Sequence, residues 1–235
     1  MNARSLEKIS PAAGRFARAA ARTVRTLGGY REAHEVIAGT RAVTEATPRV
    51  YFALLRQLAR GSTTVLDVGT GLMDSLTLVP CRVKVGVDAH RPYLEHRRVR
   101  DAVPVHANAL EIGSIFVPGA VDLVTMFDVL EHFERADGLE LLRQAERVAA
   151  RRVVLITPRG SFPQEGYDAF GLGGEDYQQH RSAWEVADLT ACGYRVVVVK
   201  GFHDARNESF VRAFGAGARP VDALVAWKDV TRRRA

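Results

Sequence analysis

From Thr63 to about Phe202 the chain alternates short apolar runs of strand length with stretches of helical period. Few architectures accept that alternation. It implies a parallel sheet whose strands are joined by crossover helices. The strand-like runs are Val65–Val68, Val83–Val87, Val103–His106, Val121–Met126, Val153–Ile156 (stopped by Pro158) and Tyr194–Val199. A loop containing Gly215, Gly217 and Pro220 precedes a seventh run, Val221–Trp227, and an Arg-rich tail. Asp137–Ala149 is expected to be helical, with Leu139, Leu142, Ala145 and Val148 in period, and so is Ser182–Ala191, ended by Gly193. The expected fold class is α/β: a mostly parallel seven-stranded sheet with helices on both faces.

The segment before this pattern reads differently. Arg15, Arg18, Arg22 and Arg25 recur on one helical face, and Phe16, Ala20, Val24 and Leu27 on another. That describes a basic amphipathic helix, which Gly28-Gly29 is expected to end. A second helix is expected over Tyr30–Ala38 and a third over Pro48–Ala59, giving a helical arm over residues 1–47 and a domain over 48–235. Seven basic residues and one acidic residue fall in Met1–Arg31, leaving the remainder balanced at 26 of each. The excess charge belongs to the arm, which weakens the case for a domain built to grip nucleic acid. The arm reads as a solvated surface helix, a lid or homodimer element, or an anion-binding device. Its composition also fits a targeting presequence, or an ordinary bacterial chain rich in Arg and Ala. Two cysteines, Cys81 and Cys192, have no metal-like spacing and read as core thiols in a reducing cytoplasm. No apolar run approaches the roughly 20 residues needed to cross a bilayer.

The densest chemical signal is Val65-Leu66-Asp67-Val68-Gly69-Thr70-Gly71. Glycines after a strand allow a tight turn and let a ligand approach the backbone. A dinucleotide site would want a third glycine at position 74, which is Asp74, and Asp67 stands two residues before the loop. Two carboxylates suit a pyrophosphate poorly and a cationic ligand well. Asp88 ends the next strand, where an acid can accept both hydroxyls of a ribose.

Asp67-Val68-Gly69-Thr70-Gly71 followed by Val87-Asp88 resembles the first two motifs of class I S-adenosylmethionine-dependent methyltransferases, which share a Rossmann-like fold. Phe127-Asp128-Val129-Leu130-Glu131-His132 resembles the D-V-L-E-H stretch of their small-molecule branch. The resemblance covers roughly residues 50–230. It implies S-adenosylmethionine as cofactor, with Asp67, Gly69, Thr70 and Gly71 about its methionine part. It further implies Asp88 and Ala89 at the ribose, Asn108 and Ala109 at the adenine, and Phe127 and Asp128 closing the pocket. Met73 stands where that family's loop has its last glycine, and Asn108 where an aspartate is common.

Methyl transfer to a hydroxyl needs a base at the C-terminal edge of the sheet. His132 is one candidate; if a helix starts after the fourth strand, Asp128 shares its face and orients the imidazole. His180 is the other, in a long connection with a glycine-rich insert over 171–174. That connection resembles the T-P-N-G … Q-x-H-x-S-G-W segment of one bacterial methyltransferase subgroup, with Arg159 and Ala183 as departures. A metal site from Asp128, Glu131, His132 and His180 lacks a compact spacing, so no metal is expected. Trp184 and Trp227 read as packing residues. The expected function is O-methylation of a small molecule, a sugar-containing or secondary metabolite, by a histidine base. The alternatives are an RNA-modifying methyltransferase using the basic arm, with nucleic acid as a less favoured partner, and a non-catalytic cofactor-binding protein.

Overall fold

The computed structural model describes residues 27–39 and 43–230. The Arg15–Arg25 stripe and the Arg-rich tail lie outside the described residues. The elements run α1 (Leu27–Ala38), β1 (Val43–Ala46), α2 (Tyr51–Leu58), β2 (Thr64–Val68), β3 (Val83–Asp88) and α3 (Arg91–Glu95). They continue with β4 (Val103–His106), α4 (Ile112–Ile115), β5 (Val121–Phe127), α5 (Arg135–Val148) and β6 (Ala149–Pro158). The last are α6 (Val186–Ala191), β7 (Arg195–His203), α7 (Glu208–Phe214) and β8 (Val221–Asp229).

The strands form one sheet in the order β1-β7-β8-β6-β5-β2-β3-β4. Every pairing is parallel except those of β8, which runs antiparallel to both β6 and β7. The central strands are mostly apolar because both faces are covered, with Asp67 of β2, Thr125 of β5 and Thr157 of β6 as buried polar exceptions. Val154 and Ile156 of β6 join one core with Leu54, Leu55 and Leu58 of α2. Val153 and Leu155 point the other way, into a core with Leu141, Leu142 and Ala145 of α5. The period of two along the strand thus feeds two separate hydrophobic layers.

The sheet has eight strands where the sequence suggests seven. The extra strand, β1, has only four residues, one of them Glu45, and pairs along β7 at the sheet edge. Alternation over four residues is too short a signal to separate from a loop. The sequence reading also places a boundary after Thr47. Instead, the described part of that segment is continuous with the sheet. Ala33 and Val36 of α1 enter the α2 core, and Gln57 Nε2 donates to the Tyr30 carbonyl at 2.8 Å. Gly28 and Gly29 lie inside α1 and do not terminate a helix.

Three further boundaries move. The segment before α2 is a 3-10 turn over Pro48–Val50, so the α-helix begins only at Tyr51. β6 starts at Ala149 and ends on Pro158 itself. α6 begins at Val186 and not at Ser182, because Trp184 is held extended: the Gly160 N–H donates to its carbonyl at 2.8 Å, and its indole is fully buried. Trp184 and Trp227 are both packing residues, as expected, each beneath an arginine (Arg135 and Arg195). α7 occupies part of what reads in sequence as loop.

Candidate functional site

The chain leaves β2 toward β3 on one side, while β5 lies on the other. Strand order reverses there, and a crevice opens at the C-terminal ends of the strands. It holds a cavity of about 540 Å³, within the range of small-molecule sites.

The first wall is the loop after β2. Gly69 and Gly71 have φ of 64° and 51°. A side chain at Gly69 would place its Cβ 2.6 Å from Val129 Cγ2, so only glycine fits. Met73 also adopts the left-handed region, at φ 66°, yet it is fully buried in the α2 core. The backbone needs a glycine-like conformation where the sequence has methionine, and burial of the side chain compensates. Asp67 does not line the cavity. It is buried and accepts hydrogen bonds from the hydroxyls of Thr70 (2.7 Å), Ser75 (2.6 Å) and Thr125 (2.6 Å), which tie the loop to β5. Burial pushes its carboxyl above the usual range against those three bonds. Asp74 lines the cavity and forms an ion pair with Arg98. The connection from β2 to β3 contains only a 3-10 turn, Asp74–Thr77. No helix N-terminus therefore faces the loop, and the usual cradle for a pyrophosphate is missing there.

Asp88, at the tip of β3, accepts from the Gly71 N–H at 2.7 Å and the His90 N–H at 2.8 Å. It bridges the two strand tips, and burial raises its pKa. Ala89, Asn108, Ala109 and Phe127 complete this end of the cavity with Gly69, Thr70 and Gly71. The Asn108 side-chain Oδ1 caps the short turn after β4 by accepting from the Leu110 N–H at 2.9 Å. This wall also carries residues not singled out from sequence. Tyr93 packs edge-on against His90 and Phe170, and His90 Nε2 donates to the Leu172 carbonyl at 2.8 Å. The insert over 171–174 is thereby tied down as a cover.

The same cavity is also lined by Asp128, Glu131, His132 and His180. No α-helix starts directly after β5, so the condition for Asp128 and His132 to share a helical face is not met. Leu130–His132 form a 3-10 turn and α5 starts at Arg135, so helical spacing does not relate Asp128 to His132. Asp128 instead takes a left-handed conformation, φ 54°. The His132 Nδ1–H donates to the Gln179 carbonyl at 3.0 Å, and the His180 Nδ1–H to the Phe162 carbonyl at 2.7 Å. A carbonyl can only accept, so each ring carries its proton on Nδ1 and keeps a lone pair on Nε2. The two rings meet edge to face, centroids 4.9 Å apart. Burial, aided by the facing His180, pushes His132 down to about 4, and burial lowers His180 as well. Both imidazoles are neutral near pH 7.

Glu131 is the residue that sequence analysis undervalued. It is buried, its Oε2 accepts from Thr157 Oγ1 at 2.9 Å, and burial next to Asp128 raises its pKa well above the ordinary value. Its backbone carbonyl accepts from the N–H groups of Arg181 (2.8 Å) and Ser182 (3.1 Å), which anchors the 162–184 connection over the site.

No protein-family model matches the chain. No curated protein matches it in sequence. Solved structures do match. A methyltransferase from Archaeoglobus fulgidus described as S-adenosylmethionine-dependent is 18% identical, with a TM-score of 0.50, covering 76% of this chain and 93% of its own. The plantazolicin methyltransferase BamL, solved with a triazolic desmethylPZN analogue and S-adenosylhomocysteine, is 14% identical with a TM-score of 0.52, covering 77% and 84%. Geranyl diphosphate C-methyltransferase from Streptomyces coelicolor, solved with Mg2+, geranyl diphosphate and S-adenosylhomocysteine, is 13% identical with a TM-score of 0.54, covering 77% and 78%. Eight strands in this order, a glycine loop after β2, an acid at the tip of β3 and these likenesses agree: the chain has the fold of the S-adenosylmethionine-dependent methyltransferases.

Proposed function

We propose that this protein is an S-adenosylmethionine-dependent methyltransferase that methylates a hydroxyl oxygen of a small molecule. One observation carries the reading: a single cavity joins the Gly69–Gly71 loop and Asp88 to the Asp128, His132 and His180 end. A cofactor end and an acceptor end in one crevice suit group transfer better than simple ligand storage. Gly69, Thr70 and Gly71 receive the methionine part, Asp88 and Ala89 the ribose, Asn108 and Ala109 the adenine, while Phe127 and Asp128 close over the sulfonium. The missing helix N-terminus and the Asp74 carboxylate disfavour a dinucleotide.

S-adenosylmethionine supplies a methyl group already activated by sulfonium. The protein must align the acceptor, exclude water and receive a proton. The acceptor hydroxyl is delivered to the His132–His180 pair, which lines the cavity and keeps an unprotonated Nε2 on each ring. The hydroxyl oxygen forms the new carbon–oxygen bond, the carbon–sulfur bond breaks with its electron pair left on sulfur, and the hydroxyl proton is taken by the Nε2 of one of the two histidines. The cover over 162–184 keeps bulk water out.

Calorimetry with S-adenosylhomocysteine and NAD tests the cofactor part; binding of NAD alone overturns it. A panel of hydroxyl acceptors with methyl-labelled cofactor tests the rest. His132→Ala and His180→Ala should lower turnover by about 100-fold or more with cofactor affinity retained. Full turnover in both variants overturns the histidine role.

A further inference from the structure

We propose that Glu131, His132 and His180 form a binding site for one divalent first-row transition cation at the acceptor end of the cavity. One carboxylate oxygen and one ring nitrogen from each histidine lie within 4.8 Å of one another. Ligands around such a cation stand about 3.3 Å apart at metal distances near 2.1 Å, so at most about 1.5 Å of side-chain closure completes the site.

The donors are prepared for this role. The Nδ1–H of His132 donates to the Gln179 carbonyl and that of His180 to the Phe162 carbonyl, leaving Nε2 as the lone-pair atom on each ring. A histidine whose other nitrogen is pinned to a carbonyl is the standard supported ligand of metal sites. The second observation is independent of the rings. Glu131 is 2% exposed, Thr157 holds its Oε2, and its Oε1 is buried with no hydrogen-bond partner. A buried carboxylate oxygen without a donor is costly unless something satisfies it. A cation among the three donors does so and balances the charge of Glu131 beside Asp128. Arg181, the neighbouring cation, is exposed and solvated.

Two imidazoles and one carboxylate suit Mn2+, Co2+ or Zn2+ better than Mg2+ or Ca2+, which favour all-oxygen sets. Three protein ligands leave coordination positions open toward the cavity, as in catalytic sites. This inference rests on the acceptor-end reading above and sharpens it. With the cation bound, the imidazoles are its ligands and the cation replaces them as the group that activates the hydroxyl, so the base role proposed above passes from the histidines. The proton of the bound hydroxyl, made more acidic by the cation, passes to water at the cavity mouth. The oxygen lone pair then forms the carbon–oxygen bond as the carbon–sulfur pair moves to sulfur.

The test is titration of the chelator-stripped full chain with Co2+, followed by visible absorption and calorimetry. One cation per chain is expected, bound at least about 100-fold more weakly in Glu131→Gln and in His180→Gln, since losing a direct ligand costs more than losing an outer partner, with S-adenosylhomocysteine affinity changed less than about twofold. Mn2+ should broaden the imidazole resonances of His132 and His180 most strongly and at the lowest Mn2+ in the unmodified protein, a readout that needs no variant to fold. Failure to bind Co2+, or binding that both variants keep, overturns the site. Because these readouts need no acceptor, absence of methyl transfer across the hydroxyl panel would count against the proposed function alone.

Discussion

At Gly69 there is no room for a methyl group: its Cβ would sit 2.6 Å from Val129, at a φ that other residues resist. Gly69→Ala should therefore push the loop off Val129 and lower S-adenosylhomocysteine affinity by about tenfold or more, measured by calorimetry. Met73 poses the opposite question. Its left-handed backbone costs about 1–2 kcal/mol, whereas removing a fully buried methionine side chain costs about 2–5 kcal/mol. Met73→Gly relieves the first and incurs the second, so denaturant unfolding should register a net loss of about 1–3 kcal/mol. The resemblance marks this position for glycine. The buried environment explains why methionine is tolerated there. Asp67 shows the limit of reading one residue from sequence. Its type and place at the end of β2 are visible, but three hydroxyls, one of them 58 residues away on β5, turn it inward and make it a loop tie.

The elements around the site depend on connections between distant segments. Asp122 at the start of β5 accepts from the N–H groups of Thr63 (2.7 Å) and Thr64 (3.1 Å), fixing the register of β5 on β2. Its small burial raises the carboxyl pKa, but these bonds win and hold it below the usual value. A depressed acid stabilises the fold above its unfolded pKa and loses that contribution as pH falls through the folded one. Asp122→Asn should thus cost about 0.5–1 kcal/mol at pH 7 after solvent screening, and the gap to wild type should close well below pH 4. On the other side, α5 carries Gly138 under Trp184, where a Cβ would lie 2.7 Å from the indole. Alanine gains helix propensity of about 1 kcal/mol, but overpacking a rigid ring costs about 1–3 kcal/mol. Gly138→Ala should be net destabilising in a thermal melt and should loosen the cover that Ser182 and Trp184 anchor.

At the scale of the whole molecule, a ligand that bridges the loop after β2, the tip of β3 and the tip of β5 stabilises all three together. At 100 times its dissociation constant S-adenosylhomocysteine should contribute about 2.7 kcal/mol, raising the Tm by about 5–10 °C for a chain of this size, while NAD should leave it unchanged. The alternation of apolar runs already determined a parallel sheet with two covered faces, because strands and helices of opposite period cannot bury their apolar residues otherwise. Local chemistry likewise settled the glycine loop and the acid at the tip of β3, since both are consequences of what one strand end can do. β1 and α7 were not legible: short elements take their stability from a neighbour, here β7 and the Phe162–Phe214 contact, and not from their own period. The same holds for the acceptor end. Glu131 and His132 are adjacent in sequence, but His180 comes 48 residues later, and nothing local to it says where it will go. Tertiary hydrogen bonds, from Arg181 and Ser182 to the Glu131 carbonyl and from His132 to the Gln179 carbonyl, bring it over the site. Sequence determines which groups a strand tip can present; the docking of a long connection determines which of them meet.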